Sequence, residues 1–192
     1  MKVGLYFGSF NPVHVGHMII ANQILSFSDL DQIWMIVSPH NPLKKKRSLA
    51  NDFDRLHLVN LAIGDNLQIK ASNVEFGLPK PSYTIDTLVY LKEKHPSFEF
   101  RLIMGGDNLI SFPKWKNHQL ILEQYGILVY LRRDTDLSTA VNHPNISLLS
   151  DLPLLDISST YIRKCLKKGI SVQYLVPDAV FQYLEGSNMY RR

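Results

Sequence analysis

Cysteine is almost absent from this chain. The single one, Cys165, cannot close an internal disulfide and leaves no thiol cluster for a structural zinc, so the composition fits a reducing compartment. Also missing is any uninterrupted apolar run long enough to span a bilayer. The opening MKVGLYFGSFNPVHVGH has no basic start, apolar middle or small-residue cleavage site of a secretory signal, and it reads as the first strand of the fold. A cytoplasmic location is expected, with no membrane partner. No internal repeat, low-complexity tract or interdomain linker interrupts residues 1–192, so one domain is expected across that span. What is there suits such a domain: 192 residues, 45% of them hydrophobic, can bury a substantial core. A formal charge of +4 and a pI near 9.1 favour anionic partners without separating nucleic acid from phosphorylated small molecules.

Hydrophobic periodicity alternates between two kinds of segment. Val3 to Phe7, Ile33 to Val37, Phe98 to Met104 and Gly126 to Leu131 are short apolar runs of strand type. Between them, His17 to Phe27, Asp52 to Ile63 and Thr84 to Lys94 read as helices, the second placing Leu56, Val59 and Ile63 on one face. Two more helices are expected at Ser158 to Lys168 and Pro177 to Leu184, with Pro177 suited to a first helical turn. Strand and helix alternation implies βαβ units. The expected fold is α/β, a Rossmann-like, doubly wound, mostly parallel sheet with helices on both faces and a C-terminal helical segment at about 158–186. Ligands of such sheets sit beyond the carboxyl ends of the strands, where the polar segments Gly8 to His17, Gly105 to Asn108 and Arg132 to Asp134 follow three of the strands directly.

The first of these segments, Gly8-Ser9-Phe10-Asn11-Pro12-Val13-His14-Val15-Gly16-His17, combines a turn after a strand with two histidines three residues apart. At a helix start that spacing lets both imidazoles point the same way. Loop and helix-terminus amides favour phosphate, the glycines permit close approach, and imidazoles donate hydrogen bonds to a phosphoryl group. One histidine alone would more often be structural, and a zinc reading lacks third and fourth ligands nearby. Near the other end, Asp156-Ile157-Ser158-Ser159-Thr160-Tyr161-Ile162-Arg163 gathers hydroxyls and a guanidinium at another helix start.

Together these two segments resemble the His-x-Gly-His motif and the C-terminal phosphate-binding motif of the nucleotidylyltransferase superfamily. The resemblance implies that His14 and His17 are the catalytic pair, with Ser158, Thr160 and Arg163 on the ATP phosphates. Gly8, Ser9 and Phe10 fall on the ATP side of the first motif. Further segments resemble the bacterial nicotinate mononucleotide adenylyltransferases. Pro81-Ser82-Tyr83-Thr84 implies that Thr84 helps to hold a nicotinate carboxylate. Gly105-Gly106-Asp107-Asn108, followed by Phe112-Pro113-Lys114-Trp115-Lys116, implies adenosine contacts at Gly105 and Asp107 and a pyridine ring stacked on Trp115. Ser38-Pro39-His40-Asn41-Pro42-Leu43-Lys44 implies mononucleotide contacts at Asn41 and Lys44, and Arg132 matches an ATP-side arginine.

Two positions depart from the pattern: Asn11 stands where many relatives have aspartate, and Lys116 where an aromatic residue is frequent. The resemblance implies transfer of AMP from ATP to nicotinate mononucleotide, with Mg2+ arriving on ATP rather than in a protein-built metal site. It implies ATP and the mononucleotide as partners, no nucleic acid, and leaves assembly as a homo-oligomer open. Two rivals remain at this point: a superfamily member acting on phosphopantetheine or nicotinamide mononucleotide, and a basic nucleotide- or RNA-binding module without chemistry.

Overall fold

The computed structural model describes residues 1–39, 49–131, 138, 140–150, 152–153 and 155–191. Strands β1 (Lys2–Gly8), β2 (Gln32–Val37), β3 (Ile69–Ser72), β4 (Glu99–Gly105), β5 (Gly126–Tyr130) and β6 (Ile146–Leu149) form one sheet in the order β3-β2-β1-β4-β5-β6. Every neighbouring pair is parallel. Parallel neighbours need crossover connections, and helices α1 (Val15–Phe27), α2 (Asp52–Ile63) and α3 (Thr84–Lys94) supply the first three. Beyond β4 come α4 (Gly106–Ser111) and α5 (His118–Gln124), and beyond β6 come α6 (Ser159–Lys167) and α7 (Asp178–Glu185). The chain starts in the middle of the sheet, builds outward to β3, returns beside β1 as β4 and builds outward the other way. The loops after β1 and β4 therefore diverge, which opens a crevice at the carboxyl ends of these two strands.

Side chains alternate across the sheet and generate two cores. Val3 and Leu5 of β1, Phe100, Leu102 and Met104 of β4, and Ile127 and Val129 of β5 pack against Ile85, Leu88 and Leu91 of α3 and Ile121 of α5. On the opposite face Tyr6, Ile33, Met35, Ile103, Leu128 and Tyr130 meet Ala21 and Ile24 of α1, Leu58 and Val59 of α2, and the buried residues of α6 and α7. Double burial is why these strands read as continuous apolar runs.

The expected bounds of α2 and α3 coincide with the observed helices. Helix α2 is capped by Asn51, whose side chain accepts the Phe53 N–H at 2.9 Å, and Asp52 and Asp54 complement its first turn. Helix α1 starts at Val15 rather than His17, so His14 becomes its cap residue and His17 lies inside its first turn. Pro177 is also a correction: with φ −56° and ψ 148° it caps α7 from outside instead of occupying the first turn. None of the described helices is long and apolar enough to cross a membrane.

Arg55 departs from the apolar pattern of α2. It shares the inward stripe with Leu58 and Val59 and is fully buried. Its guanidinium donates to the carbonyls of Ser9 and Ser38, its Nε to Ala50 O at 3.2 Å, and its Nη2 pairs with Asp52 Oδ1 at 2.6 Å. Only a planar fork of several N–H donors can satisfy acceptors spread in this way. Ser9 follows β1, Ser38 follows β2, and Ala50 precedes α2, so one side chain fastens three segments at the carboxyl edge of the sheet. Arg55→Leu strands these acceptors in a dry site and should cost about 3 kcal/mol in urea unfolding. Arg55→Lys should recover little of it, since a point charge cannot reach all the acceptors; a loss well under about 1 kcal/mol for the leucine variant would contradict this reading.

Candidate active site

Between β1 and α1 the chain turns through Phe10, whose φ is 42° and whose ring is buried in the core. The ring stands edge-on to Tyr6 at 5.7 Å and to His17 at 5.1 Å. Phe10 thus supports His17 from below and offers a ligand only its backbone, while Gly8 and Ser9 remain partly open to the crevice. The two imidazoles lie together, with ring centroids 3.7 Å apart and planes 32° from parallel. The His14 backbone N–H donates to His17 Nδ1 at 3.2 Å. An Nδ1 that accepts leaves the proton of the neutral ring on Nε2. Gly16 lies between them, where a Cβ would sit a tight 3.0 Å from His14 Nδ1. One expected phosphate donor is otherwise engaged: the Val15 N–H bonds Leu175 O at 3.1 Å, which ties α1 to the segment before α7.

The second motif lies directly against this loop. The Ser158 hydroxyl caps α6 by accepting the Tyr161 N–H at 3.2 Å, which leaves its own proton to give. Ser159 Oγ donates to Pro12 O at 2.9 Å, and Arg163 Nη1 donates to Asn11 O at 2.7 Å. Arg163 Nη2 reaches Thr160 Oγ1 at 3.2 Å, and Thr160 is exposed at the helix start. Two segments 150 residues apart in order of magnitude are thus clamped through carbonyls of the histidine loop.

Asn11, 1% exposed, is a structural tie. Its Oδ1 accepts the Ala50 N–H at 3.1 Å and the Tyr190 hydroxyl at 2.8 Å. Burial raises the Tyr190 pKa, so that hydroxyl keeps its proton and remains a donor. An amide oxygen meets both demands, and no carboxylate charge is required there.

Across the crevice, β4 ends at Gly105, where a Cβ would lie 2.5 Å from Asp107 Oδ1 and 3.3 Å from the Tyr130 ring. Glycine is what lets the Asp107 carboxylate fold back over the strand end. Thr84 opens α3 behind the extended cap residue Tyr83, so its amide belongs to the unsatisfied first turn of an 11-residue helix. Trp115 is half-buried against Phe112, with ring centroids 5.5 Å apart, and its Nε1 has no hydrogen-bond partner among the described residues. Among the described residues, packing orients the indole. Lys116 explains its own departure: Nζ pairs with Asp86 at 2.9 Å and lies 4.8 Å from the centre of the Tyr83 ring. It draws the Trp115 segment to the Thr84 segment, although a half-exposed pair of this kind contributes only about 0–1 kcal/mol.

Asn41, Lys44 and Arg132 lie outside the described residues. Among the described residues no three of His, Cys, Asp and Glu gather into a metal-sized group. Sequence reasoning passed over Arg55, Ser159, Tyr190 and Glu75. Arg55 was visible as a charge on an apolar stripe and Ser159 as a neighbour within its motif; Tyr190 and Glu75 carried no local signal.

The family model described as cytidylyltransferase-like matches residues 5–165. A Flavobacterium psychrophilum protein named as a probable nicotinate-nucleotide adenylyltransferase is 52% identical over 194 residues, covering 100% of both chains. One of the same name from Bacteroides fragilis is 42% identical, covering 94% of this chain and 90% of its own. The solved structure of Plasmodium falciparum nicotinic acid mononucleotide adenylyltransferase complexed with NaAD shares the fold. Its TM-score is 0.79 over 98% of this chain and 97% of that one, at 20% identity.

Asn11 offers a direct check on the loop. Asn11→Leu leaves the Ala50 N–H and Tyr190 O–H unpaired and should lower stability by about 2 kcal/mol in thermal or urea unfolding. Asn11→Asp preserves the acceptor for both donors and should stay within about 1 kcal/mol of the parent. Equal losses for the two variants would show that the side-chain oxygen is not what the loop uses.

Proposed function

This chain belongs to the cytidylyltransferase-like family and, within it, to the nicotinate-nucleotide adenylyltransferases; from that premise we propose how the crevice between β1 and β4 carries out the reaction. The enzyme transfers AMP from ATP to nicotinate mononucleotide, producing nicotinate adenine dinucleotide and pyrophosphate for NAD biosynthesis. The observation that carries the residue assignment is the clamp of Arg163 and Ser159 on Asn11 O and Pro12 O, at 2.7 and 2.9 Å, which brings both phosphate-binding motifs to one place.

The acceptor's phosphate oxygen attacks the α-phosphorus of ATP in line. A new P–O bond forms as the bond from that phosphorus to the bridging oxygen breaks, and the electron pair leaves with pyrophosphate. The attacking group is already anionic near neutral pH, so no general base is needed. What the protein supplies is alignment and donors aimed at developing negative charge. His17 donates from Nε2, beside His14, to the reacting phosphoryl oxygens. Ser158, Thr160 and the remaining N–H donors of Arg163 receive the departing pyrophosphate. Backbone at Gly8, Ser9 and Phe10 borders the ATP phosphates, and Gly105 and Asp107 take the adenosine.

On the acceptor side, the first-turn amide at Thr84 suits the nicotinate carboxylate, because helix amino termini favour anions. The Trp115 face receives the electron-poor pyridine ring. Asn41 and Lys44 are proposed for the mononucleotide and Arg132 for the ATP side. Magnesium enters with the substrate as MgATP, where it neutralises phosphate charge. The reaction is assigned to the cytoplasm.

Pyrophosphate release from MgATP, measured with nicotinate mononucleotide, nicotinamide mononucleotide and phosphopantetheine in parallel, tests the proposal. Strong preference for the nicotinate compound is expected, and preference for either of the others would overturn the acceptor pocket. His17→Ala should lower kcat by about 10²- to 10³-fold, the scale of a lost oxyanion donor, with the melting temperature retained. Near-parental turnover would remove His17 from the mechanism.

A further inference from the structure

Glu75 sits in the single 3-10 turn Val74–Gly77 between β3 and α3 and is 2% exposed. Nothing in the reaction as described uses it. Its Oε1 accepts the Thr87 hydroxyl at 2.9 Å, and Thr87 is itself fully buried on α3. The hydroxyls of Ser38 and Ser82 also face the carboxyl, yet Oε2 completes no hydrogen bond of normal geometry among the described residues. Burial raises the Glu75 pKa and outweighs the lowering by the three hydroxyls. A buried carboxyl with an incompletely satisfied oxygen is a poor way to fill space, and a leucine would suit the surrounding core better.

The three hydroxyls belong to three segments, two of them next to residues proposed above for the acceptor. Ser38 follows β2 and precedes Asn41 and Lys44 in sequence. Ser82 lies in the turn before α3, and Thr87 lies one helical turn after Thr84. We propose that Glu75 is a positioning residue for acceptor recognition: from behind the pocket it holds the end of β2 against the first turn of α3, and so sets where the Thr84 amide meets the carboxylate of the acceptor. The proposal rests on the nicotinate mononucleotide reading of the site.

The test is steady-state kinetics of Glu75→Ala and Glu75→Gln in the full chain, with KM for nicotinate mononucleotide and for ATP measured separately below the melting temperature. Glu75→Ala should raise the KM for the mononucleotide about tenfold, the equivalent of one hydrogen bond's worth of alignment, with kcat and the KM for ATP within about twofold of the parent. Glu75→Gln keeps the shape, an acceptor for Thr87 and a donor, and should restore the mononucleotide KM. A rise shared equally by both substrates, a change in melting temperature alone, or a glutamine variant as defective as the alanine one would overturn the proposal. If Glu75→Ala does not fold, Thr87→Val must show the same one-sided rise in smaller degree, and an unchanged mononucleotide KM in that variant overturns it as well. Failure of the parent enzyme to use nicotinate mononucleotide would instead defeat the reading of the function; normal use of it with insensitive Glu75 variants defeats only this inference.

Discussion

Carbonyl oxygens of Ser9, Ser38 and Ala50 converge on the Arg55 guanidinium at the place where parallel strands end and their loops part. A parallel sheet opens a crevice there but does not dictate where the loops go. In this protein a buried cation does so, with Asp52 as its counter-charge. Asn11 extends the same construction: its side chain joins Ala50 to Tyr190, and its carbonyl is held by Arg163. The histidine loop is thus fastened from α2, from α6 and from the residues beyond α7. Such buried polar ties are weak evidence for stability, because an apolar core would serve as well or better. Their return is geometric, since each acceptor must lie where its donor can reach it.

The chemistry explains why that geometry is needed. Moving an adenylyl group between two phosphates requires little from the protein in the way of bond making, and much in alignment and charge balance. Donors fixed before the reaction cost no reorganisation during it. His17 illustrates this: Phe10 supports its ring and the His14 N–H holds its Nδ1, so the ring is oriented before any substrate arrives. The hydroxyls proposed to receive pyrophosphate gather at the start of α6, which is itself tied to Asn11 and Pro12.

How much of this could be read in sequence depended on distance along the chain. The doubly buried strands β1, β2, β4 and β5 announced themselves as apolar runs, and α2 and α3 through periodicity and caps. Strands β3 and β6 did not, because four-residue edge strands such as Ile69-Lys70-Ala71-Ser72 carry too few residues to show a period. The paired histidines were legible because their partnership is local, at the spacing of one helical turn. The role of Asn11 was not, since its two side-chain partners lie 39 and 179 residues away. Arg55 is an intermediate case: its place on the apolar stripe of α2 marked it as unusual, but the carbonyls that it serves belong to segments separated in sequence and joined only by the fold.

The central claim is that a rigid set of donors aligns one direct displacement at the α-phosphorus, with no adenylyl group passed through the protein. The most direct measurement is the stereochemical course of the reaction with a single diastereomer of the α-thio analogue of ATP and nicotinate mononucleotide, read by phosphorus NMR of the dinucleotide product. The account predicts inversion at phosphorus, and retention would contradict it, because it would imply two successive displacements through a covalent adenylyl-enzyme intermediate.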